Sequence, residues 1–208
     1  MVQLIVFEGI DGIGKTTLAV ELTKRLSEYR TKYFSSPGKE IECSLGQFVY
    51  NLHHGQKTVV SEMIPPLSLQ MLHVASHISN LMNSIIPLIL DGGIVVLDRW
   101  WWSTMAYGIA SGIQKSDLQA IVQPELSLIN ENIKDILIVY LSRKSKTEHI
   151  TEYEELLLTQ YENLVRDSKY PVIHLDVDNK VEKSKNIEFI MEKLSQLCQE
   201  QQQSTFSF

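Results

Sequence analysis

The chain has 208 residues, 44% of them hydrophobic and 21% charged, which suits one globular domain with a sizeable core. A net charge of −6 argues against a broad nucleic-acid footprint, yet leaves room for a local basic pocket around a small anion. Cys43 and Cys198 stand far apart in no metal-like spacing and the apolar start Leu4 to Phe7 is too short for a signal peptide or membrane span, so a soluble protein of the cytoplasm is expected.

Gln3 to Phe7 (QLIVF) reads as a short buried strand of a parallel sheet. Directly after it comes Gly9-x-x-x-x-Gly14-Lys15-Thr16, the full P-loop pattern. Leu18, Leu22 and Leu26 then recur at helical spacing, so the motif sits between the strand and the helix it requires. The glycines let the backbone curl its N–H groups inward, and the helix adds its positive end to the same spot. Gly9, Gly12, Ile13, Gly14, Lys15, Thr16 and Thr17 form the predicted phosphate cradle. Lys15 can reach the β- and γ-phosphates, and the Thr16 hydroxyl can ligate Mg²⁺. A nucleoside triphosphate, ATP or GTP, is the expected ligand.

Lys32 to Ser35 is a second strand, Pro37 to Glu40 a turn, Leu45 to His53 a short helix and His54 to Lys57 a polar loop. Pro65-Pro66 opens a helix to about Leu90, with Leu67, Met71, Val74, Ile78, Leu81, Ile85 and Ile89 as its core stripe. Gln70, His73, His77, Asn80 and Ser84 make a polar stripe, which fits a solvated face as well as a binding one. Pro87 is expected to kink or shorten the end. Ile94 to Leu97 is a buried strand closed by Asp98-Arg99. Helices follow over Ser103 to Ala110 and Ser116 to Val122, then a loop or turn at Pro124-Glu125-Leu126. Ile136 to Leu141 is the fourth strand, Glu152 to Asp167 an amphipathic helix, Val172 to Leu175 the fifth strand and Val181 to about Glu200 the closing helix. No repeat or linker divides the chain, so one domain over 1–200 and a flexible tail over 201–208 are expected.

A P-loop alone leaves kinase, ATPase and GTPase open. Asp98 closes an apolar strand, where a carboxylate can join Thr16 around Mg²⁺, and Arg99 beside it suits bidentate phosphate contacts. Ligands of open α/β sheets bind at that strand edge. The basic run Arg143, Lys144, Lys146 lies between strand and helix, where a lid over 142–151 would close on phosphates, although such runs are commonly solvated loops.

Phe7-Glu8-Gly9-x-Asp11-Gly12-x-Gly14-Lys15-Thr16-Thr17 resembles the P-loop of the thymidylate kinase family. Asp98-Arg99-x-x-x-Ser103-x-x-Ala106-Tyr107 resembles its Asp-Arg motif, and Glu152-Tyr153-Glu154 with Tyr161 the start of its post-lid helix. The resemblance implies a three-layer P-loop kinase with a five-stranded parallel sheet and a short lid, usually a homodimer. It implies transfer of the γ-phosphoryl of MgATP to a deoxynucleoside monophosphate, dTMP first. Asp11 would then orient the acceptor, Arg99 would hold its phosphate, Ser103 and Thr104 would flank the base, and Tyr107 would lie under the deoxyribose. Gly12 stands where some members carry an Arg, which makes Arg143 the expected catalytic cation.

Three features depart from the family pattern. His73 and His77 stand at the usual base-stacking Phe and base-bonding Arg, which keeps another base open. A His-x-x-x-His metal site there lacks a third ligand. Lys39 stands in the loop where an Arg usually meets the acceptor phosphate, and Trp100-Trp101-Trp102 is bulkier than expected. A nucleotide-binding protein without transfer activity also stays open. A GTPase-like switch fits less well, because Asn179-Lys180-Val181-Glu182 ends in Glu and Asp98-Arg99-Trp100-Trp101 lacks the switch glycine.

Overall fold

Five apolar runs form one parallel sheet in the order β2-β3-β1-β4-β5. The strands are β1 (Leu4–Glu8), β2 (Thr31–Ser35), β3 (Ile94–Asp98), β4 (Ile136–Arg143) and β5 (Val172–Val177). The computed structural model describes residues 2–39, 44–54, 64–143, 150–177 and 183–205. β1 and β3, at the centre, are buried at every position, as strands covered on both faces must be. Alternate residues of β1 enter different cores: Ile5 and Phe7 pack with Leu18 and Leu22, while Leu4 and Val6 pack with Leu81 and Ile85.

Helices cover both faces. They are α1 (Lys15–Arg25), α2 (Leu45–His54), α3 (Pro66–Asn80), α4 (Ile86–Leu90), α5 (Trp101–Ala110), α6 (Lys115–Asn132), α7 (Glu152–Arg166) and α8 (Lys183–Thr205). The α7 start is a full capping box, with Thr151 and Glu154 exchanging side-chain and backbone bonds. One register fact places the site. Phe7 lies opposite Asp98 across the β1–β3 pair, so the turn leaving β1 and the turn leaving β3 emerge side by side at the carboxyl edge.

Four expectations need correction. The long helix is not uniform: α3 passes into α4 through a π-helical turn at Leu81–Ile85. Pro87 follows one residue beyond that turn, in the first turn of α4, where a missing N–H and the bulk of the ring are tolerated. The core stripe is not buried throughout, since Met71 is 52% exposed, and of the two readings of the polar stripe the solvated one fails at His77 and Asn80, which are buried. Pro124 does not end a helix. α6 runs through it, because Gln123 and Pro124 face solvent while Leu118, Val122 and Ile129 keep their burial at helical spacing. The closing helix, expected to stop near Glu200, continues to Thr205.

Several sequence features lie outside the described residues: Glu40, Cys43, the loop residues 55–57, the lid residues Lys144, Lys146 and His149, the Asn179-Lys180 segment and residues 206–208.

Candidate active site

The P-loop backbone follows from its glycines. Gly14, the N-cap of α1, holds φ at 98°, and Gly9 holds φ at 142°. A Cβ on Gly9 would meet the Leu141 carbonyl oxygen at 2.5 Å, so glycine there is a steric requirement. Lys15 is buried, and its Nζ donates to the Ile10 carbonyl at 2.6 Å. Burial first, and then Arg99, pull its pKa from 10.5 down to about 8, against the pull of Asp98, Asp11 and Glu8.

Thr16 is the second residue of α1 and its hydroxyl donates to Asp98 Oδ2, which also accepts from the Tyr33 hydroxyl at 3.3 Å. Asp98 Oδ1 is buried and has no hydrogen-bond partner among the described residues. A hydroxyl and a carboxylate oxygen left without a donor form a hard oxygen set of the kind Mg²⁺ takes, so these residues fit that ion.

Arg99 sits in the left-handed region, φ 69°, an unusual place for a side chain with a Cβ. Three contacts hold it there. Its own N–H donates to the Phe7 carbonyl at 2.9 Å, the Ser36 hydroxyl donates to its carbonyl at 2.8 Å, and the next N–H, of Trp100, donates to Glu8 Oε1 at 2.8 Å. The guanidinium then folds over the P-loop. Nη1 donates to the Gly9 carbonyl at 3.1 Å and to the Ser103 hydroxyl at 2.9 Å; Nη2 donates to Asp11 Oδ1, and the group lies 5.2 Å from the Tyr107 ring centre. Burial alone would weaken its charge, but Tyr161, Tyr107, Asp11 and Glu8 hold its pKa above the ordinary value.

Asp11 is exposed and accepts from the Tyr107 hydroxyl at 2.9 Å as well as from Arg99. Burial works to raise its pKa, yet Arg99, Tyr107 and Lys15 together carry it below the ordinary carboxylate value. Lys15, Thr16, Asp11, Asp98, Arg99, Ser103 and Tyr107 thus form one connected cluster. Gly12 and Gly14 both hold positive φ within its loop, Ile13 is buried beneath it, and Thr17 is exposed on the first turn of α1.

The remaining predicted residues lie elsewhere. Thr104 is buried on α5. His77 is 5% exposed in its side chain and its Nδ1 lies 3.1 and 3.3 Å from the two oxygens of Glu125, a fully buried residue of α6. The His73 ring is 6.2 Å from that of His77. Lys39 is exposed, with Nζ 4.7 Å from the Tyr50 ring centre, and Arg143 is exposed at the end of β4. Trp100 and Trp102 are 1% exposed and belong to the core.

Two residues with no role assigned from sequence prove central. Glu8 is fully buried and bonds the Trp100 and Ser103 N–H groups and the Ser103 hydroxyl. Glu125 is the partner of His77. A carboxylate inside an apolar strand, LIVFE, was the available signal for Glu8; for Glu125 no local signal exists.

A phosphate cradle at the switch point of a parallel sheet, with a carboxylate and an arginine on the adjacent strand tip, defines a P-loop nucleotide-binding protein of the phosphotransferase type. A family model described as "Thymidylate kinase" matches residues 7–190. The chain is 30% identical over 188 residues to the thymidylate kinase of Neorickettsia sennetsu, covering 83% of this chain and 85% of that one. It is 28% identical over 179 residues to that of Anaplasma marginale (strain Florida), covering 81% and 82%. The crystal structure of thymidylate kinase from Ehrlichia chaffeensis superposes with a TM-score of 0.68 at 21% identity, over 93% of this chain and 98% of that one, which establishes the fold. The chain belongs to the thymidylate kinase family.

Proposed function

We infer that this chain is a dTMP kinase, transferring the γ-phosphoryl group of MgATP to dTMP to give dTDP and ADP. The family supports the activity, and one observation supports where it happens. The Arg99 guanidinium, on the β3 tip, donates directly to the P-loop carbonyl of Gly9, so two phosphate-binding features 90 residues apart meet at one point. In this reading the P-loop N–H groups and Lys15 take the β- and γ-phosphates of ATP. Thr16 and Asp98 hold Mg²⁺, which when bound neutralises charge on the phosphates. Arg99 takes the acceptor phosphate, with Asp11 beside it, and Tyr107 lies under the deoxyribose. Lys39 and Arg143 are further cations for the acceptor and for transfer, Arg143 at the root of a lid over 142–151. Ser103 and Thr104 belong to the acceptor side; the Ser103 hydroxyl is turned toward Arg99 and Glu8. No general base is needed, because phosphoryl transfer rests on position and charge neutralisation.

A second reading, a kinase for another deoxynucleoside monophosphate, is favoured by one observation. His77 commits Nδ1 to Glu125, which leaves a single ring nitrogen for a base instead of a two-pronged donor. Turnover of dTMP against other monophosphates with MgATP separates the two. A homodimer and cytoplasmic residence complete the proposal. Phe48 of α2 and Met71 of α3 are more than half exposed on two helices that pack together, which supports an apolar contact face. No helix among the described residues is long and apolar enough to cross a membrane.

A further inference from the structure

Helix α5 begins in an unusual way. Its N-cap is Trp100, whose side chain cannot accept a backbone hydrogen bond, and no side chain of its own first turn caps it. Glu8, reaching across from β1, does so. Its Oε1 accepts from the Trp100 N–H at 2.8 Å and from the Ser103 N–H at 3.2 Å, the two bonds that a capping box divides between two residues. Its Oε2 accepts from the Ser103 hydroxyl at 2.6 Å, and the Tyr161 hydroxyl lies 3.4 Å away. The Ser103 hydroxyl in turn accepts from Arg99 Nη1 at 2.9 Å and lies 2.9 Å from the Tyr161 hydroxyl. Arg99 itself sits in left-handed backbone one residue before the capped N–H.

We propose that Glu8 is the positioning residue for Arg99: by capping α5 and accepting the Ser103 hydroxyl it fixes both the backbone and the guanidinium of the cation that takes the acceptor phosphate. A plain core carboxylate would need partners but no particular ones. This one turns its three shortest bonds to Trp100 and Ser103, on the turn that carries Arg99, and its longest to Tyr161 of α7, which also faces Arg99. Burial raises its pKa, whereas Ser103, Arg99, the Trp100 N–H and Lys15 work to keep it charged, so its neighbours are the groups that a carboxylate there must hold in order to exist. The proposal rests on the reading of Arg99 as the acceptor-phosphate cation.

The test uses the full chain as wild type, Glu8→Gln, Ser103→Ala and the double variant. Gln keeps the volume and one acceptor for the two N–H groups but cannot accept the Ser103 hydroxyl on its amide side. With saturating MgATP and dTMP, Glu8→Gln should lower kcat roughly 10- to 100-fold. The KM for MgATP should stay within about twofold, since uniform donor binding is untouched. The double variant should lose no more than the worse single one, because both cut one chain of contacts. Glu8→Gln with wild-type kcat overturns the proposal, and so do losses that multiply in the double variant. If wild type fails to phosphorylate dTMP, the functional reading fails on its own. The same four proteins then read the chain through near-UV circular dichroism of Trp100 to Trp102. A shared change in all three variants supports the positioning role, and an unchanged Glu8→Gln spectrum overturns it.

Discussion

Lys15 and Arg99 are the two cations proposed to carry transfer, and they differ in how charge is secured. Arg99 keeps its proton at any working pH. Lys15, with a pKa near 8 in the free protein, does not. As pH rises through about 8 the free enzyme loses the Lys15 charge, so kcat/KM for MgATP should fall on the alkaline side. The kcat measured at saturation should fall less, because bound triphosphate favours the charged form. A flat kcat/KM from pH 7 to 9 would contradict this. Lys15→Ala and Arg99→Ala should each lower kcat by about 10³-fold or more, read in a coupled assay of ADP release. Gly9→Ala should destabilise the fold by about 2–4 kcal/mol, since its Cβ would strike the Leu141 carbonyl at a backbone angle that side chains avoid; the check is chemical denaturation. The cradle and the Asp98-Arg99 pair are legible in the sequence because adjacent residues encode them. The role of Glu8 and its bond to Ser103 are not, because that contact joins positions 95 residues apart.

The helices show where periodicity informs and where it stops. The spacing in α1, α3 and α7 marks real elements, but it cannot say what covers a polar face. His77 is buried against α6, which brings Glu125, a partner invisible from α3 alone, and Asn80 is buried beside Gly38 of the loop after β2. Pro124 misleads in the other direction: proline breaks helices through lost bonding and steric clash, and at a solvent-facing position that penalty is tolerated. The His77–Glu125 contact joins α3 to α6 in a buried setting. Glu125→Ala should therefore cost about 2–4 kcal/mol of unfolding free energy, while His77→Ala in the same background adds little, as measured by a double-mutant cycle in urea. Additive losses would show that the two residues act separately.

At the level of the molecule, strand order brings the site together. β1 lies between β3 and β4, so the carboxyl ends of β1 and β3 deliver cradle and arginine to the same edge. This architecture follows from alternating apolar strands and amphipathic helices, and the sequence carries it plainly. The assembled state is less legible, since an exposed apolar residue looks the same on a monomer and on an interface. If the protein is a homodimer joined through the exposed apolar residues of α2 and α3, as proposed, Phe48→Glu should shift it from dimer to monomer in light scattering, and a mass unchanged from wild type would contradict that face.

The proposed reaction passes one phosphoryl group from a triphosphate in the P-loop to a monophosphate held by Arg99. Its most direct test gives the wild-type protein MgATP with dTMP, dUMP, dCMP, dAMP or dGMP and separates the products by chromatography. The expected products are dTDP and ADP in equal amounts, with dTMP the fastest acceptor. ADP release that is indifferent to any monophosphate, with no diphosphate formed from the acceptor, would contradict it.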